Sequence, residues 1–326
     1  MLWALLADFR SWGAVRTVSA LDPRFENRIP GLDRDTLPAD EVAPADPEDP
    51  ERTFLSLLDR CDAALVIAPE TGGILSGLSA QVERAGRPLL GSASSAVEQA
   101  GNKDVCGRIL AAAGLPAPET RICRIDSVIE AIGDWGYPLV LKPLDGIGSE
   151  GVYLIAGRSD IAKAVSGIRR VTPRDTVLLQ PFVEGVHASV SLLAASGRCF
   201  PMSLNRQLIR PGMPFEYRGS VVPYACERSR EALEAACAAA GLIEGLRGYV
   251  GVDLVLTADS VRLIEINPRL TTSYIGLRQV AGVNPAGAIC DASIRGVLPD
   301  RFPLGGPVAV YKDNPASWRL GRPNLP

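Results

Sequence analysis

At 326 residues the chain is too long for one small core, and about 150 residues per domain suggests two or three. Hydrophobic residues make up 47% and charged residues 22%, which excludes a largely disordered chain. The formal net charge is −3 with no run of Lys or Arg, which argues against nucleic acid as the main partner.

The opening MLWALLADFRSW has no basic leading region, and Asp8 and Arg10 interrupt its apolar stretch. It is therefore not read as a signal peptide. Leu2, Leu5, Leu6 and Phe9 fall at helical spacing, which predicts a packed surface helix. Strands follow at TVSALD, at CDAALVIAPE (61–70) and at PLLGS (88–92), with a helix over PETGGILSGLSAQVERAG. Residues 37–52 are rich in Pro and acids and are expected to form an exposed loop. This alternation predicts a small α/β layer with parallel strands over 1–94.

A helix near 102–113, stopped by Gly114 and Pro116, opens the next unit. Strand ETRIC, helix DSVIEAIGDWG, strand PLVLKP, a glycine-rich turn, strand GVYLIA, a helix near 159–170 and strand TVLLQPFV complete residues 95–184. Strands ASVSLLAA, CFPMSLNRQLI and EYRGSVVPYA then precede an Ala-rich helix (228–247) and strands YVGVDLVL and SVRLIEINP. The short spacing predicts antiparallel pairing, so residues 185–326 read as α+β. No apolar run approaches the ~18 residues of a membrane span. Seven cysteines without a CxxC pair suit reduced thiols. The chain reads as soluble and cytoplasmic.

Only four of the 34 basic residues are lysines, at 103, 142, 163 and 312. A lysine retained against that bias marks a place where a compact charge on a flexible stem matters.

Three segments carry chemistry. In PLVLKPLDGIGSEGVYLI (138–155), Gly146, Gly148 and Gly151 match GxGxxG in form. A dinucleotide fingerprint needs a helix after the turn, and here a strand follows. What remains is a β-hairpin with a glycine tip, able to bring backbone N–H groups to phosphate, with Lys142 on its first strand. An ordinary hairpin with a surface lysine is the plain alternative. In GVDLVL and RLIEINPR, Asp253, Glu265 and Asn267 offer oxygen ligands on neighbouring strands, and Glu265 and Asn267 share a face. Oxygen donors without His or thiolate suit Mg²⁺. In LLQPFVEGVHASVSL (178–192) a strand enters a glycine hinge whose backbone could read an adenine ring, and a plain turn explains that segment equally well.

Taken together, the order Lys103, Lys142, glycine loop, hinge, Asp253, Glu265-x-Asn267 resembles the ATP-grasp superfamily of carboxylate–amine ligases. The segments APETGGIL, GVHASVSLL, SLNRQLI and EINPRLTTSY are most similar to the tyramine–glutamate ligases of methanofuran-type cofactor biosynthesis. The resemblance implies an ATP-grasp fold with a leading Rossmann-like (pre-ATP-grasp) domain, a small lid subdomain and a C-terminal α+β domain.

It further implies that Lys103, Lys142, Gly148 and Ser149 contact ATP phosphates, that the Pro181 carbonyl and the Val183 amide read the adenine, and that Gln180 and Phe182 belong to the same ATP site. Asp253, Glu265 and Asn267 would hold two Mg²⁺ ions, with Mn²⁺ as a substitute, and Arg269 would act with Lys142 in catalysis. Two positions depart from the pattern. An acid usually binds ribose where His187 stands, so Glu184 or His187 would take that contact. The glycine-bearing strand that usually comes first is missing before the helix at Met1, so either the native start lies upstream or the domain lacks it. Glu70 and Arg218 are candidates for substrate binding.

The implied reaction joins a carboxylate, the γ-carboxyl of glutamate, to tyramine or tyrosine through an acyl-phosphate, releasing ADP and phosphate. The alternatives are another amino-acid or peptide ligase and a non-catalytic ATP-binding regulator. Partners would be small molecules only, with neither nucleic acid nor membrane, and the family tendency is a homodimer.

Overall fold

The computed structural model describes residues 1–26, 33–146, 148–314 and 317–323. Helix α1 (Leu2–Trp12) buries Leu5, Leu6 and Phe9 and is stopped by left-handed Gly13. Strand β1 (Val18–Leu21) pairs in parallel with β2 (Glu41–Pro44). Residues 37–52 are thus not all loop, because Val42 and Ala43 give that polar stretch enough apolar content to join a neighbour. Helix α2 (Pro50–Leu58) starts on Asp49, whose carboxylate accepts from the Arg52 amide. The strands expected at 61–70 and 88–92 shrink to one parallel bridge, Ala64 to Leu89. Those segments run side by side under α3 (Ile74–Arg84), with too few paired residues to make a ladder.

Helices α4 (Ser94–Gly101) and α5 (Lys103–Ala112) meet at Asn102, which caps α5 through the amides of Asp104 and Val105. Next come β3 (Arg121–Arg124), α6 (Val128–Ile132), β4 (Leu139–Pro143), β5 (Tyr153–Ile155), α7 (Ile161–Val171) and β6 (Thr176–Pro181). They build an antiparallel sheet in the order β3-β6-β4-β5. Leu139, Leu141, Ile155 and Leu179 on its covered face pack against Val128, Ala164 and Ile168 of the two helices.

A second sheet comprises β7 (Val186–Ala195), β8 (Arg198–Arg210), β9 (Glu216–Val222), β10 (Gly248–Leu256) and β11 (Val261–Asn267), with helix α8 (Ser229–Gly241) between β9 and β10. Helix α8 ends at Gly241, short of the expected 247. Its Ala232, Ala236, Ala239 and Ala240 leave it smooth enough to lie close on the sheet. Helices α9 (Ser273–Val280) and α10 (Pro285–Cys290) cover the other face together with α1. Strands β12 (Val308–Asn314) and β13 (Ser317–Gly321) extend the sheet, giving β11-β10-β7-β8-β9-β12-β13. The sequence reading anticipated neither these two strands nor α4, α9 and α10.

Helix α1 is tied to α9 by Asp8, a buried carboxylate that accepts from the Tyr274 hydroxyl at 2.6 Å and from Arg278 Nε at 2.9 Å. All seven cysteines are free thiols. Among the described residues no helix is long and apolar enough to cross a membrane.

Candidate functional site

The two antiparallel sheets face each other across a cavity of about 280 Å³. Strand β4 contributes Lys142, β6 contributes Gln180 and Pro181, and Phe182 and Val183 continue the same wall. Asp253 on β10, Glu265 and Asn267 on β11, and Arg269 just beyond line the opposite side. Gly148 and Ser149 border the cavity from the β4–β5 turn.

Register explains why the acids meet. Asp253 pairs directly with Glu265, and Gly251 with Asn267, before a bulge after Asp253. Asn267 Nδ2 donates to Asp253 Oδ2 at 3.2 Å, and Gln207 Nε2 donates to its Oδ1 at 3.0 Å. Lys103 Nζ lies 3.1 Å from Glu265 Oε2 and donates to the Gly146 carbonyl at 2.8 Å. The first residue of α5 therefore ties the acid pair to the root of the glycine turn.

Burial and then the neighbouring Glu265 charge push Asp253 up to about 8. Burial would also raise Glu265, but the ammonium groups of Lys103 and Lys142 prevail and hold it at about 2. Burial lowers Lys142 to about 8. Its side chain is only 4% exposed, and it makes no hydrogen bond or ion pair to any described residue. A buried, unpaired cation bordering a cavity is costly for the fold and suited to an anionic ligand.

The turn itself is sterically tight. A Cβ on Gly146 would come within 2.8 Å of Pro143 Cγ, and one on Gly151 within 2.8 Å of Val171 Cγ2. Ser149 sits at φ 68, a left-handed conformation costly for a residue with a Cβ.

At the other end the lining is apolar. The Phe215 ring stands edge-on to Phe182 at 6.3 Å and to His187 at 6.1 Å. Burial depresses the His187 imidazole below its ordinary 6.5, which favours its neutral form. Such a slot takes a flat apolar ring beside the backbone of the hinge. Glu184 is exposed and lies outside the lining.

Glu70 stands off the cavity but holds its arginine. Arg269 Nε donates to Glu70 Oε2 at 2.8 Å, with side-chain exposures of only 12% and 7%, and Arg269 Nη1 donates to the Leu270 carbonyl. Strand alternation separates Tyr217 from Arg218. Tyr217 enters the cavity, its hydroxyl 2.7 Å from that of Thr272, while Arg218 is exposed and pairs with Glu216 at 2.8 Å.

Gln207, Lys312 and Trp318 also reach the site and were not singled out by the sequence reading. For Lys312 a signal existed, the scarcity of lysine. For Gln207 and Trp318 none did.

The donor set fits Mg²⁺. Among the described residues no group of three or more His, Cys, Asp or Glu could hold a metal. Two facing carboxylates and an amide are nonetheless what an ion completed by phosphate oxygens and water requires. A divalent cation would also relieve the repulsion that lifts Asp253.

Residues 100–273 match the family model of the ATP-grasp domain, and residues 15–97 match that of the pre-ATP-grasp 3 domain. The chain is similar to the tyramine–L-glutamate ligase of Methanocaldococcus fervens, at 31% identity over 68% of this chain and 62% of that protein. It thus spans less than two thirds of that relative's length. Two solved structures share its fold. Biotin carboxylase from Campylobacter jejuni has a TM-score of 0.79 and 15% identity, over 94% of this chain and 72% of that one. L-amino acid ligase from Bacillus licheniformis has a TM-score of 0.77 and 17% identity, over 95% and 77%. With its ATP-grasp domain set behind a pre-ATP-grasp domain, the chain belongs to the ATP-grasp family.

Proposed function

We propose that the protein is an ATP-dependent ligase that joins the γ-carboxyl of glutamate to an aromatic amine, tyramine or tyrosine. The observation that supports this most is the convergence of Lys103, Lys142, Asp253, Glu265, Asn267 and Arg269 around one cavity. The named relative at 31% identity supports the choice of substrates.

In this reading adenine would lie against Phe182 and Val183, with Gln180 and Pro181 behind them and His187 or Glu184 toward the ribose. Lys103, Lys142, Gly148 and Ser149 would receive the phosphates, supplying charge and preorganised donors, on which phosphoryl transfer chiefly depends. Asp253, Glu265 and Asn267 would hold Mg²⁺, which when bound neutralises phosphate charge. A carboxylate oxygen of glutamate attacks the γ-phosphorus and ADP leaves. The neutral amine then attacks the acyl carbon, phosphate leaves, and the nitrogen loses a proton. Arg269 would steady the acyl oxygen. Residues 1–94 would carry substrate contacts, 95–184 the lid over ATP, and 185–326 the metal and acyl site.

The test is ADP release across a panel of acids and amines. Glutamate with an aromatic amine should give the highest kcat/KM. If D-alanine, β-alanine or a nucleotide-pathway amine does better than both aromatic amines, the substrate assignment is wrong.

Glu70 matters here through Arg269. Glu70→Ala removes one partner of a nearly buried ion pair, which should destabilise the fold by about 3 kcal/mol and lower kcat with little change in KM for ATP. Urea unfolding and steady-state kinetics check both, and unchanged values would mean that Arg269 is positioned without Glu70.

A further inference from the structure

Three of the four lysines, Lys103, Lys142 and Lys312, line the one cavity, while Lys163 lies exposed on α7. Lys103 is paired with Glu265, and the proposed reaction employs Lys142. Lys312 has no part in that scheme. It lies on β12, beyond the stretch matched by the ATP-grasp model, which ends at residue 273. It reaches the cavity because β12 adds to β9, with Tyr311 opposite Gly219. A Cβ on Gly219 would come within 2.0 Å of the Val310 carbonyl oxygen, so this close pairing requires glycine there.

The surroundings of Lys312 are specific. Trp318 is its direct cross-strand partner on β13 and also lines the cavity. The Trp318 ring lies 6.1 Å from the Tyr217 ring at 60°, so the two form one aromatic wall of the cavity. The Tyr217 hydroxyl is engaged by Thr272. No described carboxylate pairs with Lys312.

We infer that Lys312, Trp318 and Tyr217 form the acceptor subsite, and that it takes an aromatic amine bearing its own carboxylate, an aromatic α-amino acid. The inference rests on the ligase reading above and sharpens it: Lys312 is exposed yet lines the cavity, and of the two amines only one that keeps its carboxylate could pair with it. Trp318 and Tyr217 would together form the wall on which the substrate ring packs, and Lys312 would donate to its carboxylate. Cation and aromatic wall sit side by side across one strand pair, so a single ligand carrying both groups satisfies them together. Arg218, exposed and already paired with Glu216, is not needed for this contact.

Binding without turnover tests the subsite. Calorimetric titration of tyrosine and of tyramine into the protein holding Mg²⁺ and a non-hydrolysable ATP analogue needs no ligation, so failure of the ligase reading would show separately in the ADP-release panel. Lys312→Ala should weaken tyrosine binding by about tenfold or more, the usual effect of losing one charge-assisted hydrogen bond. Lys312→Arg should bind within a few-fold of wild type, and tyramine should bind Lys312→Ala and wild type alike. Trp318→Ala should weaken both amines. Failure of wild type to bind tyrosine, or equal binding of tyrosine by Lys312→Ala and wild type, overturns the assignment. So would a loss of glutamate affinity in Lys312→Ala with tyrosine affinity intact, which would place the donor there instead.

Discussion

Lys142→Met should melt no lower than wild type while forming ADP about 10²–10³-fold more slowly. Both halves follow from one environment. The ammonium is buried, unpaired among the described residues and depressed to about 8 by desolvation. Holding it there costs folding free energy, and methionine keeps the stem's packing without the charge. The same ammonium borders the cavity beside Glu265, where phosphate oxygens would repay that cost on binding. Differential scanning calorimetry and an ADP assay read the two effects. A marked fall in melting temperature would make Lys142 a structural residue, and near wild-type turnover would remove it from the phosphate site.

Glu265→Gln should raise the Mg²⁺ concentration for half-maximal rate by about tenfold or more and lower kcat by about 10²-fold. The substitution keeps shape and removes charge at the residue that faces both Asp253 and Lys103. Without that charge Asp253 ionises more readily, since after burial Glu265 is the main influence raising it. One good ligand then remains where two stood, and Lys103 loses its ion pair. Asn267→Ala should act in the same direction more weakly, because the amide brings no charge. If Glu265→Gln keeps its rate at low Mg²⁺, the metal lies elsewhere.

The parts of the site that could be read in advance are those whose logic is local. Glu265 and Asn267, two apart among buried aliphatic residues, announce a polar pair on one strand face. A strand rather than a helix after GIGSEG turns the glycine motif from a Rossmann fingerprint into a hairpin, and β4 and β5 do pair as one. Contacts set by distant register could not be read. Glu70 meets Arg269 across 199 positions, and Gln207 meets Asp253 across 46. Arg218 was the candidate on β9, but the pairing of β9 with β8 and β12 leaves it exposed and turns its neighbour Tyr217 inward. The same register carries Lys312 and Trp318 to the cavity from β12 and β13, two strands whose short, mixed sequences gave no periodic signal. In the leading domain the apolar runs at 61–70 and 88–92 suggested strands, yet apolar content alone does not make a ladder when only Ala64 and Leu89 come into pairing position.

Activation of a substrate carboxylate by phosphorylation in this cavity is tested most directly by the fate of the carboxylate oxygen. Glutamate labelled with ¹⁸O in both γ-carboxyl oxygens is incubated with ATP, Mg²⁺ and the aromatic amine, and the released phosphate is analysed by mass. Attack of the carboxylate on the γ-phosphorus predicts one ¹⁸O in each phosphate and one left in the product amide. Unlabelled phosphate, or label in AMP instead, would contradict it.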